Sequence, residues 1–189
     1  LELFDSNSIN GFNLSDTIDE TITSMGSRKL KSWIAFPLID KKEIKKRQEI
    51  VQSIMSDEEI SRLLDINLNN ISDIERLMSK IATYKISPRE LVNLKSSLEN
   101  VDLIKDSLLV YSGVLKNYGK SLPNSKSIIG AISKTLKDDS PVSILKGDFI
   151  KDGFSKELDG LREIRSSGKE YLNQILERET KKTNIPSLK

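Results

Sequence analysis

The 189-residue sequence contains no cysteine and no histidine. Their absence excludes disulfide bonds and zinc sites of the usual cysteine and histidine kinds. It also excludes serine or cysteine nucleophiles that depend on a histidine base. Carboxylate metal sites stay possible in principle, and a reducing, cytoplasmic compartment is consistent with the missing cysteines.

Aromatic residues, proline and glycine are scarce as well. Aromatics make up 5% of the chain, with 5 prolines and 9 glycines, whereas 37% of the residues are hydrophobic. The apolar set is mostly leucine and isoleucine, which favours helices that pack through aliphatic side chains. The few glycines form neither of the two phosphate-binding patterns, G-x-x-x-x-G-K-[ST] and G-x-G-x-x-G, so nucleotide binding through such a loop is excluded.

Long apolar runs are also missing. No stretch approaches the roughly 20 apolar residues that a membrane-spanning helix needs. Residues 1–10 carry neither the basic stretch nor the apolar core of a signal peptide. We therefore expect no contact with a membrane.

Charged residues are abundant but balanced. They make up 31% of the chain and leave a net charge of +2, which indicates a solvated helical surface rather than a strongly basic nucleic-acid domain. A local basic run could touch phosphates, but it lacks interleaved aromatics and has acids nearby, so we interpret it as a solvated helix face. The run consists of Lys41, Lys42, Lys45, Lys46 and Arg47.

The spacing of apolar residues predicts an all-α fold. Ser87-Pro88-Arg89-Glu90 has the pattern of a helix start, and Asp40 with Glu43 forms a second capping pattern. Two helices are predicted after Ser87, one reaching about residue 101 and one through residues 103–115. Residues 119–127 are predicted to be a loop. Further helices are predicted over residues 27–36, from 40 and from 57, and over 71–82, 128–136 and 155–181.

Some side chains are expected in the core. Trp33 shares a helix face with Leu30 and Ile34 and is predicted to be a core anchor rather than a base-stacking platform. The helix after Asp40 is expected to turn four apolar residues inward. These are Ile44, Val51, Ile54 and Met55.

The last predicted helix is the longest, roughly 40 Å at 1.5 Å per residue. That exceeds what a compact domain of this size needs, so we expect it to protrude or to need a partner. Its apolar stripe, expected to be covered by a neighbouring molecule or folded back, consists of Leu158, Leu161, Leu172 and Ile175. Lys181, Lys182 and Lys189 near its far end are candidate contacts to DNA phosphates, although cations near a helix C-terminus are favourable by themselves. Asp138 and Asp139 are interpreted as loop residues.

Five sequence motifs occur in a fixed order along nearly the whole chain. The first contains Thr21, Thr23, Met25, Gly26 and Arg28 after Asp19, and continues to Trp33 and Pro37. The others are Ile44-x-x-Arg47-Gln48-Glu49-x-Val51; Asp73-Ile74-Glu75-Arg76-Leu77 with Ile81-Ala82; Ser87 to Leu91; and Ile150-x-Asp152-Gly153-Phe154-x-x-Glu157-Leu158-Asp159, ending in Glu177-Arg178-Glu179 and Ile185 to Lys189.

Together these motifs resemble the core, or lever, domain of the MutS family of DNA mismatch repair ATPases. The resemblance implies an irregular helical core over residues 1–150 and a lever helix over residues 151–189 that leads into a clamp domain. It implies no catalytic site, cofactor or metal in this chain. The parent protein would bind ATP and Mg, form a homodimer, grip mismatched double-stranded DNA, and work with a MutL-type partner in the bacterial cytoplasm, associated with the nucleoid.

Two departures from the family pattern leave the branch open. Phe36 stands where a basic residue is usual before the proline, and residues 116–141 differ from the expected pattern. The alternatives are a MutS-related protein without mismatch specificity, working in recombination or other DNA processing, and a free-standing helical adaptor for protein interactions. A separate nuclease is a weaker alternative because no carboxylate cluster suits metal-dependent cleavage.

Overall fold

A computed structural model describes residues 3–4 and 11–183 of the chain. The contacts between residues divide the chain into two units, Leu1–Phe149 and Ile150–Lys189. We describe each unit by itself. The end of the fifth motif, residues 185–189, lies outside the described residues.

The all-α prediction is confirmed, since the described residues form helices and no β-strand. The longest connection between two α-helices covers residues 136–155 and contains one 3₁₀ turn. The first unit contains α1 to α8 and one short 3₁₀ turn, and the second contains α9. The helices are α1 Leu14–Ile18, α2 Ser24–Ala35, α3 Lys41–Met55, α4 Glu58–Asn69, α5 Ile74–Ala82, α6 Pro88–Val110, α7 Gly113–Ser121, α8 Lys126–Thr135 and α9 Lys156–Thr183, and the 3₁₀ turn is Ile144–Lys146.

Helix α6 is the centre of the first unit and packs against α4, α5, α7 and α8. The buried core cluster consists of Ile60 on α4, Ile104 and Leu108 on α6, and Leu115 on α7. Partly buried aliphatic residues from α3 and α4 surround it. Burial of apolar surface at about 25 cal/mol per Å² therefore holds this bundle together around one helix.

The predicted start of α6 is confirmed. The Ser87 hydroxyl accepts a hydrogen bond from the Glu90 amide at 3.3 Å, and the Ser87 amide donates to Glu90 Oε2 at 2.9 Å. The division of this region into two helices was wrong, because α6 runs unbroken for 23 residues. After Pro88 it contains no proline or glycine that would interrupt it.

The loop predicted over residues 119–127 was also partly wrong, because α7 continues to Ser121. Gly119 lies inside the helix. A Cβ atom added there would lie 2.9 Å from Cβ of Leu108 and 3.3 Å from the carbonyl oxygen of Lys105. The glycine thus permits close approach of α7 to α6, and it is not a loop signal.

The inward face of α3 differs from the prediction. Val51 is 55% exposed and Met55 is 75% exposed, so both point away from the core. Ile50 and Ile54 pack against the core cluster instead. These two residues are four apart and therefore share a helix face, which turns Val51 and Met55 outward.

Candidate functional site

The first motif builds the start of α2 from its own polar side chains. One carboxylate oxygen of Asp19 accepts from the Thr21 hydroxyl at 2.6 Å and the other from the Ser27 hydroxyl at 2.5 Å. These hydrogen bonds, led by the one from Ser27, lower the pKa of Asp19. Thr23 is the N-cap, and its hydroxyl accepts from the Gly26 amide at 3.0 Å. The motif therefore fixes where and in what direction α2 begins.

Gly26 and Met25 in the same motif serve packing. A Cβ atom on Gly26 would lie 3.1 Å from the Thr23 hydroxyl oxygen and 3.2 Å from Cβ of Thr21, so the threonines sit closely over the glycine. Met25 lines a partly open apolar cavity of about 370 Å³ in the bundle. Its other walls are mainly aliphatic residues of α3, α4, α6 and α7. Thr23 and Tyr118 bring the only polar side chains among the described residues that line it, and the Thr23 hydroxyl is engaged in capping α2.

Arg28 joins the first motif to the third. Its guanidinium donates to both carboxylate oxygens of Asp73, at 2.7 and 2.8 Å, and to Glu75 Oε2 at 2.6 and 2.9 Å. Asp73 is the N-cap of α5, so one carboxylate both caps a helix and holds the arginine. The hydrogen bonds from Arg28 lower the pKa of Asp73 to about 2. Arg28 thus ties α2 to the start of α5 across 45 residues of sequence.

Trp33 is not the core anchor that we predicted. It is 41% exposed, and Cζ of Arg47 lies 3.7 Å from the centroid of its ring. This cation–π contact joins the end of α2 to α3 and places the first and second motifs against each other. Trp33 reaches toward α3 near the surface, where an arginine stem can cover it. Pro37 follows two residues after α2 ends at Ala35, as its role as a helix stop predicts.

The start of α6 is tied to two other segments. Lys80 on α5 forms an ion pair with Glu90, whose pKa is lowered to about 2, mainly by this contact. Arg89 Nε donates to the carbonyl oxygen of Ser140 at 3.1 Å. The neighbouring Asp138 and Asp139 lie in a turn, as predicted, and Asp138 pairs with Lys95 of α6.

In the second unit, the fifth motif forms a junction before α9. Gly153 has φ +81°, a conformation that favours glycine, and its amide donates to Asp159 Oδ2 at 2.8 Å. Arg162 donates to Asp152 at 2.7 Å, to Asp159 at 3.2 Å and to the carbonyl oxygen of Ile150 at 2.9 Å. One arginine therefore fixes the first turns of α9 to the segment that precedes it.

Arg162 was missed in the sequence. Its spacing of three residues from Asp159 is a signal for an ion pair on one helix face, but its contacts to Asp152 and Ile150 depend on the turn at Gly153. The contact between Arg28 and Asp73 was missed in the same way. Both residues belong to recognised motifs, yet nothing in the spacing indicates that the motifs meet.

Helix α9 spans 28 residues and contains no buried residue. Leu161 and Leu172 are 59% and 66% exposed, whereas Leu158 and Ile175 are partly buried. At its centre, the hydroxyls of Ser166 and Ser167 donate to the carbonyl oxygen of Glu163, at 3.1 and 2.5 Å, just before Gly168. Among the residues that the structure describes, Leu161 and Leu172 are thus the two members of the predicted stripe that are largely open to solvent.

The candidate DNA contacts lie at the far end of α9. Lys181 and Lys182 are in its last turn and are exposed, and Lys182 Nζ lies 3.4 Å from Glu179 Oε1. Lys189 lies outside the described residues.

Within residues 3–4 and 11–183, no group of three Asp or Glu side chains could hold a metal ion. Among the helices that the structure describes, none combines the length and apolar character that a bilayer crossing requires.

In this site, arginines and carboxylates tie helix starts together. The chain that supplies these residues was compared with known proteins. A family model described as MutS domain III matches residues 1–187. The chain belongs to the MutS family. The predicted resemblance is thereby confirmed, and the helical architecture is that of MutS domain III.

Relatives similar to this chain are bacterial proteins named DNA mismatch repair protein MutS. Those of Christiangramia forsetii and Flavobacterium johnsoniae are each 44% identical over 190 residues, and that of Phocaeicola vulgatus is 42% identical over 190 residues. Each match covers 100% of this chain and 22% of the relative. The chain thus spans about 22% of the length of the MutS proteins it matches.

Proposed function

We propose that this chain is the structural core and lever module of a longer DNA mismatch repair protein of the MutS type. The observation that carries the proposal is the match to MutS domain III over residues 1–187. Residues 1–150 are the core domain in this proposal, and residues 151–189 are the lever helix that leads into the clamp. ATP hydrolysis with Mg belongs to a distant domain of the parent protein, to which this chain contributes no catalytic group.

The partners of the parent protein are part of the same proposal. It would form a homodimer around mismatched double-stranded DNA and recruit a MutL-type partner in the bacterial cytoplasm, at the nucleoid. The relatives named DNA mismatch repair protein MutS support the mismatch-repair part of this proposal. The chain's task would be to link DNA held by the clamp to the ATPase domain.

The form of α9 suits a lever. At 1.5 Å per residue its 28 residues span roughly 42 Å. Its base is held by the contacts of Arg162 to Asp152, Asp159 and Ile150. An intact helix that is fixed at its base passes a displacement along its axis to the other end, because its backbone hydrogen bonds keep the axial rise constant.

The far end of the lever would contact DNA. Lys181 and Lys182 in the last turn, and Lys189 beyond it, are the proposed contacts to the phosphate backbone. Such contacts position DNA without reading its sequence, so binding here should ignore a mismatch and weaken as salt rises.

The lever is tested with Leu161→Pro in the full-length protein. Proline in the second turn of α9 removes a helix hydrogen bond and clashes with the preceding turn. We expect DNA binding and basal ATP turnover to remain while DNA no longer changes the rate of ATP hydrolysis. Leu161→Ala, which keeps the helix, is the matched control. Unchanged coupling in a folded Leu161→Pro protein would refute the lever.

The lysine contacts are tested separately by fluorescence anisotropy of this chain with matched and mismatched duplexes at low and moderate salt. We expect weak, salt-sensitive binding that does not distinguish the two duplexes and is reduced by Lys181→Glu with Lys182→Glu. The control replaces Lys116 and Lys120, two exposed lysines on α7, with glutamate. Equal DNA binding by both double variants would refute the proposed contacts of Lys181 and Lys182 to DNA. It would not bear on the proposal that α9 is a lever.

A further inference from the structure

The end of α2, the connection to α3 and the first turns of α3 form a partly apolar, basic surface of the first unit. We call it the α2–α3 face. Its apolar part consists of Trp33, Phe36 and Ile39, and its basic part consists of Lys41, Lys42, Lys45 and Lys46.

The apolar part is unusually open for large side chains. Phe36 is 78% exposed and Ile39 is 95% exposed, while Trp33 keeps 41% of its surface in contact with solvent. Trp33 is also held in place, because the guanidinium of Arg47 lies against its ring. Tryptophan and arginine are the residue types that most often dominate protein interfaces, and grouped exposed apolar side chains mark such surfaces.

The basic part carries an excess of positive charge. Residues 24–47 contain eight Lys or Arg and two Asp or Glu, although the whole chain carries only +2, so the remainder is net negative. In the described part of the chain, Lys41, Lys42, Lys45 and Lys46 take part in no ion pair. All four are exposed. A partner that meets this face gains most if it carries carboxylates.

We infer that the α2–α3 face docks onto a protein surface that has an apolar pocket rimmed by carboxylates, supplied by the remainder of the longer protein. The inference rests on the proposed function in one respect, namely that the chain works within such a protein. The pocket would receive Phe36 and Ile39, and the carboxylates would meet the lysines of α3. This arrangement has the apolar centre and polar rim of a stable interface.

A nucleic acid fits the same face less well. Phosphates would satisfy the lysines, but a sugar–phosphate backbone offers far less apolar surface than a protein pocket to cover Phe36 and Ile39. The exposed apolar side chains therefore favour protein, and the lysines favour an acidic one.

The experiment is amine labelling of native protein followed by mass spectrometry, with acetyl N-hydroxysuccinimide ester as the probe. The full-length protein is compared with the 189-residue chain. We expect Lys42 and Lys46 to be acetylated about fivefold more slowly in the full-length protein, because an interface excludes the reagent. Lys116 and Lys120 on α7 are the matched controls, since they are exposed, are also four residues apart, and should be labelled equally in both proteins.

Three results would overturn the inference. Equal labelling of Lys42 and Lys46 in both proteins would mean that nothing covers the face. Protection that appears only after duplex DNA is added would make it a nucleic-acid contact. Protection in the 189-residue chain that grows with its concentration would make the partner a second copy.

A variant sharpens the positive result. Phe36→Ser combined with Lys42→Glu should release the protection of Lys46 in the full-length protein, whereas Lys116→Glu should not. Persistent protection in the first variant would also contradict the inference. The α9 variants probe a different unit, so a failure here and a failure of the lever are distinguishable.

Discussion

The two units of this chain are stabilised in different ways. The first buries a set of aliphatic side chains around α6, among them Ile60 and Leu108, and adds polar ties between helix starts. The second consists of a turn and one long helix without a buried residue, held by a local cluster around Arg162. Sensitivity to substitution should therefore follow burial in the first unit and local helix chemistry in the second.

The largest difference is expected from shortening one leucine in each unit. Leu108 is 3% exposed, so Leu108→Ala should lower the free energy of unfolding by about 2–5 kcal/mol through lost burial and a new cavity. Leu161 is 59% exposed, so Leu161→Ala should change it by less than about 0.5 kcal/mol. Urea unfolding monitored by Trp33 fluorescence and circular dichroism measures both. Equal costs would mean that Leu161 is covered in solution.

Glycine substitutions should have opposite signs in the two units. Gly119→Ala places a methyl group against Leu108 and should cost about 1–3 kcal/mol through overpacking. Gly168 has no atom within 4 Å of an added Cβ, and Gly168→Ala should stabilise α9 by about 0.5–1 kcal/mol. Thermal unfolding tests the first and helix content by circular dichroism the second. A loss of helix content in Gly168→Ala would contradict the description of α9 as locally stabilised.

The junction before α9 is expected to respond locally. Arg162→Met keeps most of the side-chain volume but removes the hydrogen bonds to Asp152, Asp159 and the Ile150 carbonyl. We expect a loss of about 1 kcal/mol confined to the second unit, since the arginine is partly exposed. Amide hydrogen exchange over residues 153–162 should accelerate, while exchange in α6 stays unchanged. Acceleration in α6 would show that the units are not separate.

The smallest effect is a pH dependence of the bundle. The pKa of Asp73 is lowered to about 2 from an ordinary 3.8, and that of Glu90 to about 2 from 4.5. A depressed folded-state pKa gives stability that is present above the unfolded value and lost as the pH falls, here from about 4.5 toward 2.

Each of these two partly exposed pairs should contribute little to stability, because solvent screens it. The measurement is urea unfolding at pH 5 and pH 3, monitored by Trp33 fluorescence. Arg28→Met should flatten part of the decline by returning the pKa of Asp73 toward its ordinary value. An identical pH dependence in Arg28→Met would contradict the role given to this pair.

Local signals in the sequence predicted the helix starts well. The predicted starts at Asp40, Asp57 and Ser87 are N-caps in the structure, and the Ser87–Pro88 pattern forms its full capping box. Helix α2 is the exception, since it begins at Ser24, three residues before the predicted start, with Thr23 as its cap. These features depend on residues a few positions apart, so the sequence carries them directly. The motifs also predicted the MutS family, which the match to domain III confirmed.

Features that depend on distant residues were not predicted. Trp33 was expected inside because Leu30 and Ile34 share its face, yet Arg47 from the next helix covers it at the surface. Gly119 was predicted to begin a loop. Its place inside a helix is explained by close contact with Leu108 on another helix, which the local sequence does not indicate. The functions of the DNA-contact lysines and of the two units stay predictions, because the partners that would define them lie outside this chain.

The centre of α9 has a mechanical consequence. Ser166, Ser167 and Gly168 are weak helix formers, and the two serine hydroxyls compete for the carbonyl of Glu163. A helix that is weakest at its centre resists compression along its axis but bends at that point under a sideways force. Helix α9 would then act as two stiff segments joined by a hinge. A displacement at its first turn would change the angle of its last turn.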